Sequence, residues 1–434
     1  MAGTAGANGR PPAANGVFFK PGDPATIYVA TTFGLLASPD GCQFRWICED
    51  AQGYGGTFDP AYGVTPTGAI LVTTFQGLRA SRDGGCSFQP VASELSTIYL
   101  VSLDVGATGE VCVGAADPTM PNGIFCSSDD ATTFTASSGL SPTAWYQSVK
   151  FAPSDPTRVY AVAYQISEQT DAGTRASTVA LLRSDDSGES WTTEPVSTAV
   201  FGEYQNLSIA AVDPADADVV FVISSLANPP AGGILYRSAD GGMTFVDVLE
   251  TTHPITGVVA RDAQHYVVAT DFDGLSESTD GGQTFSPLAD TQPFECLGER
   301  SDGVLFGCGE SNVALASSSD AVSWKPVLEL DHISGPLTCP FGTIQHDECA
   351  VQEYPGLATQ LGITPAACGA SDGATDGPPI VSTSSPRQGC CDSGGDGTPV
   401  VGLFVVVLSL CRRATTTVLR KARSPRWGSR FDHL

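Results

Sequence analysis

Basic residues are scarce in this 434-residue chain, where 21 Lys and Arg stand against 47 Asp and Glu and the formal net charge is −26. Seven of the 21 basic residues lie after position 411, so the preceding chain is even more acidic in proportion. Because a phosphate backbone is bound by clustered Lys and Arg, this composition argues against a nucleic-acid partner. Charged residues make up only 16% of the chain, beside 48 Gly and 30 Pro. That balance is typical of a protein built from many short strands and turns.

Several sequence motifs of catalysis are also missing. The chain has no His-Glu-x-x-His pair, no Gly-x-Ser-x-Gly turn and no Gly-x-x-x-x-Gly-Lys loop, and its five histidines are scattered. Zinc-dependent hydrolysis, a serine nucleophile of that type and nucleotide binding through a phosphate loop therefore have no support. No two cysteines have the Cys-x-x-Cys spacing of a zinc site, which leaves disulfides as the better interpretation of the cysteines.

The N-terminus shows no charged start followed by an apolar stretch, so no signal peptide is visible. Thirteen cysteines would nevertheless be unusual in a reducing compartment. We therefore expect an exported protein whose signal lies outside this sequence, with most of its cysteines in disulfides. Cys112 with Cys126, and Cys296 with Cys308, are hypothesised to join neighbouring strands of one β-sheet.

Seven short segments follow one pattern, Ser-x-Asp-x-Gly-x-Thr-aromatic, with small variations. Their aspartates lie 40 to 57 residues apart, which is about the length of a four-stranded propeller blade. Gly tolerates a positive φ, and Asp and Ser bind their own backbone, so each copy predicts a structural turn between two strands. The first and seventh copies are one residue short, and the third and seventh lack the glycine. The seven aspartates are Asp40, Asp83, Asp129, Asp186, Asp240, Asp280 and Asp320.

These repeats predict an all-β fold, a seven-bladed β-propeller of four-stranded antiparallel blades over residues 17–330. Residues 1–16 are expected to be a disordered N-terminus. A small cysteine-containing cap or stalk with a short helix is expected at 331–370, followed by a flexible Gly/Ser/Pro linker at 371–389. A Cys-Cys motif, a short hydrophobic anchor and a basic tail occupy 390–434. Seven complete blades close into a ring that leaves only short, protected strand edges.

The repeats resemble the Asp-box, or bacterial neuraminidase repeat, of sialidases, sortilin-type receptors, some glucanases and photosystem assembly factors. Asp-Pro pairs before β-rich segments, at Asp23, Asp155 and Asp213, add to the resemblance. It implies the propeller and a structural role for the box aspartates, but it selects no activity, because one fold hosts many functions. The Phe-Arg-Ile-Pro opening of sialidases is absent, which argues against that activity.

The C-terminal end is similar to the myxobacterial C-terminal sorting tail, in which a Gly-Cys-Cys motif precedes a short hydrophobic helix and an arginine cluster. Here Cys390 and Cys391 precede the apolar residues 399–411 and then Arg412 and Arg413. The apolar run is shorter than the ~20 residues of an ordinary span, although the arginines after it favour a cytoplasmic C-terminus. The resemblance implies processing near the cysteines and attachment to the cell surface or outer membrane.

Two acidic segments have the oxygen-rich look of calcium loops. One is Asp271–Gly274, and the other combines Asp213, Asp216 and Asp218. Neither completes the twelve-residue pattern of a calcium-binding loop, so solvated turns are the favoured interpretation. No cofactor is predicted, with calcium as the alternative.

Two aromatic residues, Trp145 and Tyr146, stand side by side where the fourth blade opens. An exposed pair of this kind would stack on a sugar ring, whereas a buried pair would fill the gap between two blades. Burial is the favoured interpretation.

The sequence favours a monomeric, non-catalytic binding or scaffolding module for an extracytoplasmic protein or glycan, held at the membrane by its tail. The alternative is an Asp-box glycoside hydrolase or lyase at the cell surface, which would need two carboxylates facing one cleft. The box aspartates do not meet that need, because they belong to equivalent turns of different blades. Two inner-strand carboxylates at one mouth of the central channel would favour the enzyme, whereas a defined membrane-complex partner would favour a third class, an assembly factor.

Overall fold

The structure is a computed structural model that describes residues 11–56, 58–91, 95–166, 177–194, 206–225, 232–309 and 313–363. In these residues, 28 strands form seven antiparallel sheets of four strands each. The predicted fold class, a seven-bladed all-β propeller, is therefore confirmed. The predicted linker at 371–389 and the tail with Cys390 and Cys391 lie outside the described residues.

Strands are numbered along the chain, four to a blade, and each strand pairs with its sequence neighbours. Blade 1 comprises β1 (Ala14–Lys20), β2 (Asp23–Thr31), β3 (Gly34–Ser38) and β4 (Arg45–Ile47). Blade 2 comprises β5 (Tyr62–Val64), β6 (Ile70–Thr74), β7 (Gly77–Ser81) and β8 (Gln89–Pro90). Blade 3 comprises β9 (Leu100–Val105), β10 (Val111–Ala115), β11 (Ile124–Ser127) and β12 (Thr135–Ala136). Blade 4 comprises β13 (Trp145–Ala152), β14 (Asp155–Ile166), β15 (Ser177–Ser184) and β16 (Thr192–Glu194).

The remaining three blades repeat the arrangement. Blade 5 comprises β17 (Asn206–Val212), β18 (Val220–Ser225), β19 (Gly233–Ser238) and β20 (Val246–Thr251). Blade 6 comprises β21 (Ile255–Ala260), β22 (Tyr266–Thr270), β23 (Leu275–Ser278) and β24 (Ser286–Pro287). Blade 7 comprises β25 (Cys296–Glu299), β26 (Leu305–Cys308), β27 (Leu315–Ser318) and β28 (Lys325–Leu328). The first strand of each blade contacts the first strands of its neighbours, so these seven strands form the inner wall of the ring.

Helical structure is confined to short segments. Helix α1 (Glu49–Gln52) follows blade 1, and a 3₁₀ turn (Leu330–His332) follows blade 7. A π-helix (Gln345–Glu353) continues into α2 (Tyr354–Leu361), which contains the predicted short helix. Across the described residues, no helix combines the length and apolarity needed to cross a bilayer.

The second strands carry much of the core. Every residue of β6, β10 and β22 is buried, because each of these strands has a neighbouring blade on both of its faces. A strand covered on both faces has a nearly continuous apolar sequence rather than an alternating one. The core is therefore a series of clusters between adjacent blades, and each blade depends on its neighbours for burial.

The box turns set how closely adjacent blades approach. In four copies, the glycine two positions after the box aspartate has a positive φ and packs against a side chain of the preceding blade. A Cβ added to Gly282, for example, would lie 2.4 Å from Cζ of the buried Phe221. In the third copy, Ala131 stands two positions after the aspartate and also has a positive φ, 55°. In the shortened seventh copy, Ala321 directly follows the aspartate and has a φ of 62°. The four glycines are Gly85, Gly188, Gly242 and Gly282.

Substituting two of these glycines separates backbone strain from blade contact. Gly84→Ala changes a residue with φ +76° and open space around it, so we expect the free energy of unfolding to fall by about 1 kcal/mol from strain alone. Gly282→Ala adds a clash with the ring of Phe221 and should cost about 2 kcal/mol more. Urea unfolding measures both, and equal losses would contradict the proposed contact.

The ring closes between blade 7 and blade 1 without sharing a strand, because every sheet consists of four consecutive strands. The backbone N–H of Ala14 donates to the carbonyl of Gly309 at 3.2 Å across this seam. The chain beyond blade 7 then runs parallel to the outer strand of blade 1. Its Gly335 carbonyl accepts from Trp46 N–H at 2.9 Å, and its Leu337 N–H donates to the Trp46 carbonyl at 2.8 Å. This C-terminal extension therefore covers an otherwise open strand edge.

Disulfides occur both within blades and across the ring. Cys112–Cys126 and Cys296–Cys308 join directly opposed residues of adjacent strands, which confirms the two predicted pairs. Two further bonds, Cys48–Cys349 and Cys86–Cys339, tie the C-terminal extension to blades 1 and 2 across 301 and 253 residues. Cys42 is disulfide-bonded as well. This use of cysteine indicates an oxidising, extracellular type of environment.

Thiol labelling checks the disulfide set. All nine described cysteines are disulfide-bonded, so iodoacetamide in denaturant without reductant should leave them unmodified. Peptide mass spectrometry, with a reduced sample as control, identifies any labelled site. Labelling of Cys48, Cys86, Cys339 or Cys349 in protein from an oxidising compartment would contradict the bonds that hold the extension.

Glu353 of the π-helix and Asp50 of α1 interact where the extension packs on α1. Burial raises the pKa of Glu353 to about 7, and the nearby carboxylates of Asp50 and Glu348 add to the increase. Since the folded state binds this proton more tightly than the unfolded chain does, the stabilisation is complete below the unfolded pKa. It is lost as the pH rises through about 7.

Glu353→Gln should therefore remove a pH dependence. We expect it to raise the free energy of unfolding at pH 8 by about 1 kcal/mol, a value discounted for partial solvent exposure, and to leave stability near pH 4 almost unchanged. Thermal unfolding at the two pH values measures this difference. The exposed Glu189 provides the control, Glu189→Gln, which should change neither. An equal gain at both pH values would contradict the role of the Glu353 charge.

Candidate functional site

Successive strands alternate in direction, so the connections between them lie on two opposite faces of the ring. Turns between first and second strands, and between third and fourth strands, lie on one face, which also carries the seven boxes; we call it the box face. Turns between second and third strands, and connections from one blade to the next, lie on the other, which we call the loop face. Loops on such faces are where propellers and other scaffolds present functional side chains.

The box aspartates all bind their own turns. In every copy the Ser hydroxyl donates to one carboxylate oxygen at 2.7–3.0 Å. Backbone N–H groups farther along the turn donate to the same oxygen, as Thr133 does to Asp129 at 2.8 Å. In the five full-length copies, a Ser or Thr hydroxyl donates to the second oxygen at 2.5–2.7 Å. The seven aspartates lie in seven separate blades, so the structure does not gather them into one site.

These hydrogen bonds favour the ionised carboxylates. The backbone and hydroxyl donors of Thr133 lower the pKa of Asp129 to about 2, and the backbone N–H groups of Ser323 and Val322 do the same for Asp320. A carboxylate with a depressed pKa and every oxygen engaged is a poor proton donor at neutral pH. The box turns therefore have the chemistry of structural turns.

The two acidic segments considered for calcium also bind protein donors. Asp213 is buried and accepts from Ala215 N–H at 2.7 Å, Asp216 N–H at 3.0 Å and the Tyr266 hydroxyl. Asp273 accepts from the Thr252 hydroxyl at 2.9 Å. Among the described residues, neither segment brings three ligating side chains together.

Carboxylates on the inner strands are the test of a glycosidase site. Within the described part of the seven inner strands, only Asp104 in blade 3 and Glu299 in blade 7 carry one. Each is paired with a cation, Asp104 with Lys150 Nζ at 3.1 Å and Glu299 with Arg261 Nε at 2.9 Å. Both lie near the box-face ends of their strands. Asp104 and Glu299 thus lie toward the same, box-face mouth, but they belong to blades 3 and 7 and each is held in an ion pair. The described inner wall places no carboxylate at the loop-face mouth.

A pocket of about 490 Å³ opens on the loop face between blades 2, 3 and 4. It is formed by the turn between β6 and β7, the turn after β10, and the residues that begin β9 and β13. Six of its nine lining residues are aromatic or aliphatic, and none is Lys or Arg. The lining residues are Phe75, Tyr99, Val101, Ala116, Asp117, Pro118, Thr119, Trp145 and Gln147.

Stacked aromatic rings make one wall of this pocket. The ring centroids of Phe75 and Tyr99 are 4.7 Å apart with an interplanar angle of 23°, and Phe58 lies 4.5 Å from Phe75. Phe75 remains 53% exposed. A large exposed ring held in place by two others is a preorganised surface for stacking against a ligand.

The adjacent aromatic pair in β13 is divided between core and pocket. Tyr146 is 1% exposed, and its hydroxyl donates to the Ser141 carbonyl at 2.8 Å; burial raises its pKa to about 12. Trp145 is partly exposed and lines the pocket. Because successive residues of a strand point to opposite sides, burial of one places its neighbour elsewhere. The expectation of burial therefore holds for Tyr146. Trp145 instead lines the pocket, where it is available to stack on a ligand.

Asp117 is the charged residue of the pocket. Its Oδ1 accepts from Thr119 N–H and Met120 N–H at 2.8 and 3.0 Å, and its Oδ2 accepts from Tyr99 N–H at 3.0 Å. These backbone donors, that of Thr119 foremost, lower its pKa to about 2. Since all of them are neutral, the carboxylate is ionised and keeps its negative charge beside the aromatic rings.

Charge is distributed unequally between the two faces. Of the eleven described Lys and Arg residues, Arg79 lies at the midpoint of β7, and the connections of the loop face contain none. The other ten lie in box-face turns or in the strand halves next to them: Lys20, Arg45, Arg82, Lys150, Arg158, Arg183, Arg237, Arg261, Arg300 and Lys325. Eight acidic residues occupy the described loop-face connections: Glu49, Asp50, Asp59, Asp117, Asp271, Asp273, Asp290 and Glu295. The described loop-face connections therefore carry an excess of negative charge.

No protein-family model matches this chain, and no curated protein matches it. Solved structures to which it is similar include an ancestral GH74 enzyme, at 14% identity and a TM-score of 0.44, with 75% of this chain and 55% of that chain covered. The chain thus spans about half the length of that enzyme. YCF48 from Cyanidioschyzon merolae is similar at 13% identity and a TM-score of 0.46, with 69% and 93% covered. The GH74 xyloglucanase from Xanthomonas campestris is similar at 13% identity and a TM-score of 0.36, with 73% and 71% covered. None of these likenesses assigns an activity.

Proposed function

We propose that this protein is a non-catalytic binding module for an extracytoplasmic protein or glycan, and that the ligand binds in the aromatic pocket of the loop face. The observation that carries the proposal is the wall of stacked rings, with Phe75 half exposed beside Trp145 in a cavity of about 490 Å³. Concave sites rich in aromatic side chains, with a few polar groups, are the usual form of a ligand pocket.

Binding without catalysis is supported by the state of the carboxylates. The box aspartates are held by their turns, Asp104 and Glu299 are each paired with a cation, and Asp117 is ionised and accepts several hydrogen bonds. A glycoside hydrolase requires a general acid with a raised pKa and a second carboxylate across the bond to be cleaved. The described residues of the pocket supply neither.

The disulfides and the sequence of the tail support a proposal for the location of the module. We propose that the repeats are Asp boxes of the bacterial neuraminidase type, which the hydrogen-bond pattern shared by the copies supports. We propose also that the protein is exported and held at the cell surface through Cys390, Cys391 and the apolar residues after them. The disulfides support an oxidising location.

A pair of matched substitutions tests the pocket. Labelled wild-type protein is screened on arrays of oligosaccharides and synthetic peptides, and its binders are titrated against Phe75→Ala and Phe341→Ala. Phe341 is 86% exposed on the C-terminal extension, so it controls for the loss of an exposed ring. We expect Phe75→Ala to weaken binding at least about tenfold, as a truncated aromatic anchor does, and Phe341→Ala to have no effect.

Three results would overturn the proposal. They are the absence of any binder, binding that Phe75→Ala leaves intact, and cleavage of an oligosaccharide by the wild-type protein at a rate that exceeds the buffer control. The last result would favour the glycoside hydrolase.

A further inference from the structure

We infer that the loop face docks a cationic polypeptide segment, with an Arg or Lys side chain of the partner in the aromatic pocket. The inference rests on the proposed binding function and specifies its ligand class. It depends on the charge of the pocket and on the distribution of charge over the whole face.

The pocket combines the two features that a cation requires. Phe75, Tyr99 and Trp145 present aromatic rings, whose faces attract an ammonium or guanidinium group. Asp117 adds an ionised carboxylate that is neutralised by no described Lys or Arg, since its donors are backbone N–H groups and a hydroxyl. An anionic ligand would meet this charge without a compensating cation, so the pocket disfavours phosphates and carboxylates.

The surrounding face extends the same preference beyond one side chain. Asp271 and Asp273 form the turn between β22 and β23 on the loop face, where Phe272 projects and is 70% exposed. Burial raises the pKa of the Asp271 carboxyl, which works against its charge, and Asp273 is paired with His253 Nδ1 at 2.7 Å. The negative charge of this turn is therefore less available than that of Asp117. A second exposed ring beside acidic side chains therefore lies two blades away from the pocket along the same face.

A polypeptide fits this layout better than a neutral oligosaccharide. The described loop-face connections hold acidic residues without Lys or Arg, and an extended field of one sign attracts a partner of the opposite sign from a distance. A neutral sugar would gain nothing from that field. A basic segment would gain at the pocket through ring contacts and along the face through its remaining charges.

Charge changes at one pocket position provide the test. The probe is a fluorescein-labelled octapeptide of alternating Arg and Ser, with a matched peptide in which neutral citrulline replaces every Arg; cellohexaose serves as the neutral sugar. Binding is measured by fluorescence anisotropy, or by calorimetry for the sugar, at 50 and 300 mM NaCl with the full chain. We expect the Arg peptide to bind at low salt and to weaken as salt rises, and we expect the citrulline peptide and the sugar not to bind.

Gln147 lines the pocket, and its substitutions keep side-chain size while changing charge. Gln147→Glu should tighten binding of the Arg peptide about threefold or more, and Gln147→Lys should weaken it at least about tenfold, since charges a few ångströms apart interact strongly in a partly buried site. The control position is Gln264, exposed in a box-face turn. Gln264→Glu and Gln264→Lys change net charge equally and should shift affinity less than about twofold. Thermal unfolding of all four variants checks that they fold.

The outcomes separate this inference from the proposed function. Binding of the citrulline peptide or of cellohexaose, weakened by Phe75→Ala, would keep the pocket as a binding site and overturn the cationic ligand. Equal changes in affinity at Gln147 and Gln264 would mean that the peptide is attracted by net charge alone, which would overturn docking at the pocket. If none of the three probes binds, the inference is rejected, and the array screen alone decides the fate of the proposed function.

Discussion

The box turn sets the distance between neighbouring blades of this propeller. Its aspartate accepts hydrogen bonds from the hydroxyl and backbone N–H groups of the turn. In the full-length copies, the residue two positions later has a positive φ, which brings the backbone against the preceding blade. Where that residue is glycine, the approach leaves no room for a side chain, as the contact of Gly282 with Phe221 shows. Because the second strands are buried on both faces, the spacing between blades is also the packing distance of the core. One local turn, repeated, therefore determines both the shape of each blade and the way in which blades stack.

Features that depend on local spacing could be predicted from the sequence. The box aspartates, the blade count and the two disulfides between adjacent strands follow from residues that are close along the chain. Cys48–Cys349 and Cys86–Cys339 could not be predicted, because their partners are 301 and 253 residues apart and meet only after the ring has closed. Likewise, Phe58, Phe75, Tyr99 and Trp145 come from separate loops and strands, and no spacing along the chain brings them together.

Two signals were nevertheless present in the sequence. Trp145 and Tyr146 are consecutive in a strand, so the alternation of side chains predicts opposite directions for them. Lys and Arg likewise stand near the strand ends beside the boxes. Once the strand directions are assigned, their positions predict that the opposite face has few basic residues. Both inferences require the strand directions, which the order of strands in a blade supplies and composition does not.

The C-terminal extension gives the ring an unusual response to mechanical force. Beyond blade 7 the chain lies along the outer strand of blade 1, and it is covalently bonded to blade 1 at Cys48 and to blade 2 at Cys86. A pull applied at residue 363 therefore reaches blade 1 through the Cys48–Cys349 bond before it reaches blade 7. Unravelling of blade 7 by such a pull would require this covalent bond to break.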